Sequence, residues 1–155
     1  MGDEGLGKLE HDHATLSRHV QELRAMVDRH EQHDAPLGEE FLALLVETAD
    51  ALFEHFAREE EGLFPYIARE LPERRAVLEE MQAAHDRICG AASRILSLTD
   101  RAPLPEQLPL AVALFRRFDA EYTDHARREA EVLRGLSGAL SGDQIAALAE
   151  QLRGT

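Results

Sequence analysis

Tryptophan is absent from this 155-residue chain, and aromatic residues amount to only 5%. Ala, Leu, Glu and Arg dominate in their place, a bias that favours helix. Cysteine is almost missing too. Cys89 stands alone, so no internal disulfide can form. No apolar run approaches the ~18 residues of a membrane span. Residues 1–25 also lack the apolar stretch of a signal peptide, and the expectation is a cytoplasmic protein. Basic residues are few: 17 Lys and Arg stand against 30 Asp and Glu, for a formal charge of −13. That balance argues against nucleic acid and anionic membranes as partners. It is compatible with a site for cations, although a solvated acidic surface accounts for the charge by itself.

What is present is ample for a core. Apolar residues make up 44% of the chain, ordinary for a globular protein. The length suits a single domain over residues 1–155. The prolines and glycines gather at breaks: "QHDAPLGE" (32–39), "FPYIARELPE" (64–73), "TDRAPLPEQLP" (99–109) and Gly135 to Gly142. Pro65 and Pro72 are expected to interrupt helix at the second of these. Four long helical segments lie between the breaks, about 6–30, 39–64, 73–98 and 107–136. A short fifth helix of about 141–153 follows, opened by Ser141 and Gln144 at capping-box spacing. No segment alternates as a strand does.

The apolar stripes can be read directly. Segment one runs Leu6, Leu9, His13, Leu16, Val20, Leu23, Val27, and segment three runs Leu78, Met81, His85, Ile88, Ala92, Ile95. Segment two runs Phe41, Leu45, Thr48, Leu52, His55, Glu59 and on to Leu63. Segment four runs Ala111, Phe115, Phe118, Tyr122, His125, Glu129, Val132, Leu136. Alternating steps of three and four are the seam of a helix packed in a bundle. Short connections make the expected architecture all-α, an antiparallel up-down four-helix bundle with a short C-terminal fifth helix. The chain also repeats. His85 lies 72 residues beyond His13, while His125 and Glu129 lie 70 beyond His55 and Glu59. "APL" recurs at 35–37 and 102–104, so two helical hairpins related by pseudo-symmetry are expected.

Four histidines and two glutamates therefore fall on core stripes: His13, His55, Glu59, His85, His125 and Glu129. An unpaired buried carboxylate costs several kcal/mol or more, and the stripes contain no Arg or Lys to offset it. Metal would. In His-x-x-x-Glu the two side chains sit one turn apart on one face, with Cβ atoms roughly 5–6 Å apart. Two such helices and two lone histidines suit a pair of cations, with carboxylates bridging and imidazoles at the ends. That donor set favours iron, manganese or zinc over calcium. A lone seam histidine is usually a satisfied core residue; the pseudo-symmetric pairing with glutamates is what points to metal. His11, His19, His30 and His33 lie off the stripe or at a helix end and are read as surface residues. Glu60 and Glu61 are read as solvated, Glu60 being the better placed to reach the site's periphery. Tyr122 could face the metals but reads first as a core aromatic, and Cys89 as a small buried hydrophobe. A ferritin-like di-iron bundle would need Glu-x-x-His on two helices. Glu10 and His13 supply it once, but Gln82 stands three before His85.

"HFAREEEGLFP" and "HARREAEVL", with "DHATL" and "AHDRI", resemble the hemerythrin-like (HHE cation-binding) domains over about residues 6–136. The resemblance implies a bundle holding two non-heme iron ions, Fe2+ or Fe3+, with which a bridging oxo or hydroxo group is compatible. It implies the same six residues as ligands, the glutamates bridging. The oxygen-carrying members have a further histidine where this chain has Met81, and a differently spaced Asp where it has Glu129. A four-His, two-Glu set looks more like the bacterial iron-centre repair and nitric-oxide-responsive members, though their N-terminal Cys-containing domain does not precede this bundle. The expected function is binding of a small oxidant or gas (O2, NO or peroxide) for sensing, carriage or stress response. The competing readings are an enzyme or iron donor (NO or peroxide reduction, repair of iron centres) and, ranked last, an interaction module with structural metal. Nothing in the sequence names a protein partner.

Overall fold

The computed structural model describes residues 4–99 and 105–153, with side chains from residue 7 onward. Leu6 of the first stripe and the second "APL" therefore lie outside what is described. Helix α1 spans Glu4–His33, α2 Glu39–Arg58, α3 Phe64–Glu70, α4 Arg75–Leu98, α5 Leu108–Ala139 and α6 Gly142–Arg153. The described residues contain no strand. Neighbouring contacts run α1 to α2, α2 to α4, α4 to α5 and α5 back to α1, which closes a four-helix bundle. None of these helices is long and apolar enough to cross a membrane.

The stripes are buried as the periodicity requires. Leu16, Val20, Leu23 and Val27 of α1 meet Phe41, Leu45 and Leu52 of α2, Ile88, Ala92 and Ile95 of α4, and Phe115 and Phe118 of α5. A second apolar cluster holds Leu9, Leu63, Phe64, Ile67, Leu78, Met81 and Leu136, closed from outside by Leu148 and Leu152 of α6. The polar residues of the stripes occupy the layer between. Each fully buried Leu or Phe contributes about 1.5–3 kcal/mol by leaving water, and this supports the burial of a charged layer.

The helix ends follow local chemistry. Asp34 closes α1 in the left-handed region at φ 53°, which Asp tolerates better than most residues. The His30 ring bonds the Ala35 carbonyl at 2.8 Å across the same turn. At α6 the Ser141 N–H donates to Gln144 Oε1 at 2.8 Å and the Gln144 N–H to Ser141 Oγ at 3.2 Å, the reciprocal capping box. Tyr66 donates its hydroxyl proton to the Gln144 carbonyl at 2.7 Å, tying α6 to α3. Two bidentate-type contacts, Arg24 on Asp119 at 2.8 and 2.7 Å, pin α1 to α5.

One expectation is corrected. Pro65 does not interrupt the helix. A wide π-turn over Glu59–Leu63 joins α2 to α3, and the Phe64 N–H reaches back to the Glu59 carbonyl. The turn changes the hydrogen-bond register just before the residue that lacks an N–H, so Pro65 enters as the second residue of α3. The chain breaks instead at Leu71, whose φ of −131° and ψ of 73° lie outside the helical region that a following proline disfavours. A single 3-10 turn, Pro72–Arg74, then leads into α4.

Candidate metal centre

All six stripe residues converge at one level of the bundle. His13 comes from α1, His55 from α2, Glu59 from the first position of the π-turn, His85 from α4, and His125 with Glu129 from α5. His55, Glu59, His85, His125 and Glu129 are at most 3% exposed. His13 differs, with 21% of its side chain exposed.

The contacts reproduce the sequence repeat. His55 Nε2 lies 3.1 Å from Glu59 Oε1, and its counterpart His125 Nε2 lies 2.9 Å from Glu129 Oε2. His13 Nε2 lies 3.0 Å from Glu129 Oε1, and its counterpart His85 Nε2 lies 3.5 Å from Glu59 Oε1. Each glutamate thus faces one histidine of its own hairpin and one of the other. The ligand atoms fall into two overlapping groups, His13, His55, Glu59, Glu129 and Glu59, His85, His125, Glu129, with the atoms of each within 4.8 Å of one another. Both groups use both glutamates.

Cations fit this arrangement on the chemistry of its own atoms. Both carboxylate oxygens of Glu59, Oε1 of Glu129 and both ring nitrogens of His55 are buried without a hydrogen-bond partner among the described residues. Close approach without hydrogen-bond geometry means that lone pairs are aimed at shared points rather than at protons. His85 Nδ1 lies 3.2 Å from Glu60 Oε1, which places its proton there and leaves Nε2 as a lone pair. That Nε2 shares a 3.1 Å hydrogen bond with His125 Nε2, whose proton a bound cation would displace. Burial holds three of the four imidazoles neutral, as ligands must be. It lowers His55 and His125 to about 4, in each case helped by His13, and His85 to about 3, helped by His125. His13 is also pulled down by burial, but Glu129 and then Asp12 and Glu10 outweigh it and the net shift is upward.

Several contributors lie outside the stripes. Asp12 is 3.5 Å from His55 Nδ1, too long for a good hydrogen bond, and its carboxylate is taken by Arg58 at 2.6 Å. Phe56 stacks on His85 with ring centroids 3.7 Å apart, and Phe64 lies nearly parallel to the same ring at 5.5 Å. Gln151 of α6 donates to the Gly62 carbonyl inside the π-turn at 3.4 Å. Asp12 adjoins a stripe histidine and Glu60 a stripe glutamate, the only sequence signal either carried. A cleft of about 410 Å³ between α1, α5 and α6 reaches His13 past Glu10, Leu133, Arg134, Leu136 and Leu148.

The remaining candidates resolve plainly. His11 and His33 are exposed. His19 is less exposed than a surface reading expects, 13%, because its ring lies against α2 with Nε2 3.9 Å from Glu47. His30 is occupied by its own turn. None of the four enters either group of ligand atoms. The Tyr122 hydroxyl shares a 3.3 Å hydrogen bond with Ser17, and its ring stacks on Phe118 in the apolar core. Burial, with Glu60 and Asp86, pushes the Cys89 thiol up to about 11, so it stays protonated and inert. Met81 is buried in the apolar cluster below His85.

Among protein families, the one described as the hemerythrin HHE cation-binding domain matches residues 4–136. No curated protein and no solved structure matches the chain.

Proposed function

The chain belongs to the hemerythrin HHE cation-binding family, and on that footing we propose that it is a non-heme di-iron protein that binds a small oxidant or gas, O2, NO or peroxide, for sensing, carriage or stress response. His13 and His55 hold one iron, His85 and His125 the other, and Glu59 and Glu129 bridge them. The observation that carries this reading is the pair of four-atom groups sharing both glutamates, with buried carboxylate oxygens that no proton donor satisfies among the described residues. Imidazole with carboxylate is a donor set for redox-active transition metals rather than for calcium. Four neutral histidines and two carboxylates also leave two divalent cations with surplus positive charge, which favours a further small or anionic ligand. Bound iron would supply redox chemistry and open coordination positions.

The second reading, an enzyme that reduces NO or peroxide or a donor of iron to damaged centres, is favoured by the exposure of His13 at the end of a cleft. An accessible ligand is one from which metal can be exchanged. Two measurements test both. Metal analysis of anaerobically prepared protein should approach two iron per chain, and a reproducible value near one with all six residues intact sinks the paired site. Reduced protein mixed with O2, NO or H2O2 should give an optical change that persists and reverses on removal of the gas. Steady consumption of NO or peroxide selects the second reading instead.

A further inference from the structure

Resting on the two-metal reading, we infer that Glu60 secures the metal position of His85 and His125 through the His85 ring, so that this inner position holds its metal more firmly than the outer one at His13 and His55. Three independent features divide the site this way.

The first is access. His13 is the one candidate ligand with substantial exposure, 21%, and it lies in the wall of the cleft beneath α6. His85 and His125 are 1% and 3% exposed. The second is packing. His85 is stacked on Phe56 at 3.7 Å and lies near-parallel to Phe64 at 5.5 Å, so its ring cannot swing without displacing two aromatic side chains. His13 has the His55 ring edge-on at 4.5 Å and no phenylalanine against it among the described residues.

The third is the carboxylate behind each imidazole, and here the pseudo-symmetry fails. Asp12 stands behind His55 but is committed to Arg58 at 2.6 Å, which leaves 3.5 Å to His55 Nδ1 and cancels the carboxylate's charge. Arg58 is itself shared with Glu54. Glu60 stands behind His85 with no ion pair to Lys or Arg among the described residues, and hydrogen-bonds Nδ1 at 3.2 Å. An un-neutralised carboxylate on the far nitrogen fixes the tautomer and makes Nε2 the better donor. The sequence repeat places Ala84 and Ala130 opposite Asp12 and Glu60, so neither contact has a counterpart in the other hairpin. Glu60 owes its position to the π-turn, which starts at Glu59 and carries the next residue toward α4. It is a positioning residue: it touches a ligand, not the metal.

The test is the time course of iron loss from anaerobically reduced, fully loaded protein to a ferrous chelator such as ferrozine. Wild type should release one iron per chain in a fast phase and one in a slow phase. Glu60→Gln, isosteric and helix-compatible, should speed the slow phase by roughly 10–100-fold and leave the fast phase unchanged. Glu61→Gln removes the same charge from an exposed neighbour and should change neither. Leu133→Trp, which fills the cleft, should slow the fast phase, with the slow phase as in wild type. Circular dichroism and the melting temperature of the metal-free variants establish that folding is intact. Release of both irons in one phase overturns the inference while the two-metal reading stands. So does a Glu60→Gln time course that matches Glu61→Gln. A loaded protein that holds fewer than two irons overturns the two-metal reading itself, and the inference with it.

Discussion

Replacing Glu59 by leucine should make the metal-free protein more stable and weaken its hold on both metals. Glu59 is fully buried, and neither of its oxygens has a hydrogen-bond partner among the described residues. Its nearest neighbours, His55 Nε2 at 3.1 Å and His85 Nε2 at 3.5 Å, are held neutral at pH 7.5 by their lowered pKa values of about 4 and about 3, so neither supplies a compensating charge. Leucine has similar volume, equal helix propensity and no charge to bury. A buried carboxylate with no compensating partner carries a desolvation cost of several kcal/mol, part of which leucine removes. Taking ~2 kcal/mol, the melting temperature of the metal-free variant should rise by roughly 4–8 °C for a chain of this size. With iron the order reverses. A ligand at a hundredfold excess over its dissociation constant stabilises the wild type by about 2.7 kcal/mol per site, and the variant, without one bridge, gains little. The assay is a thermal melt at pH 7.5 with chelator and with ferrous iron, alongside metal analysis. A metal-free Glu59→Leu protein that melts below metal-free wild type would show that the carboxylate is satisfied by the protein alone, and the case for a cation would lose its main support.

Glu59→Ala should loosen both irons together, His13→Ala chiefly the outer one, and His11→Ala neither, because His11 is exposed; metal content and optical spectra of the three variants distinguish these outcomes, and identical behaviour of the first two would remove the bridging role. Met81→His should tighten retention of the iron beside His85 and slow autoxidation, since position 81 lies one turn away on the same buried face; unchanged chelator and autoxidation rates in a folded variant would mean that position 81 does not face the metals. The metal-free protein should lose stability as pH falls from about 6.5 towards 4: His55, His85 and His125 have folded values below their ordinary one, so the unfolded chain binds more protons across that window. His13 is shifted the other way and opposes them, as does Glu60, whose carboxyl is raised by burial and by Asp86 and Glu61. A melting temperature that climbs between pH 7.5 and pH 5 would contradict the burial of three neutral imidazoles.

The helices, their inward faces and the six residues that meet were legible in the sequence because each depends on a local period. A residue on a stripe of three-and-four spacing faces the bundle whatever the details of its neighbours, and a histidine or glutamate found there is carried inward with it, His13 least completely. His55 and Glu59, or His125 and Glu129, could be read in this way without knowing what lies across the bundle. The contacts between helices were not legible. Asp12 matters because Arg58 of α2 reaches it, and Glu60 because His85 of α4 stands opposite; both sit a step off their stripes, where spacing alone predicts solvent. Pro65 read as a break because proline lacks an N–H, yet one widened turn absorbed the loss, and the stability of that turn comes from Leu63, Phe64 and Ile67 packing below it and Gln151 of α6 bonding its carbonyl. Periodicity, a property of the chain, determined which side chains go inside. The asymmetry between the two halves of the site was decided by packing and by charges brought together from distant segments, and those exist only once the bundle has closed.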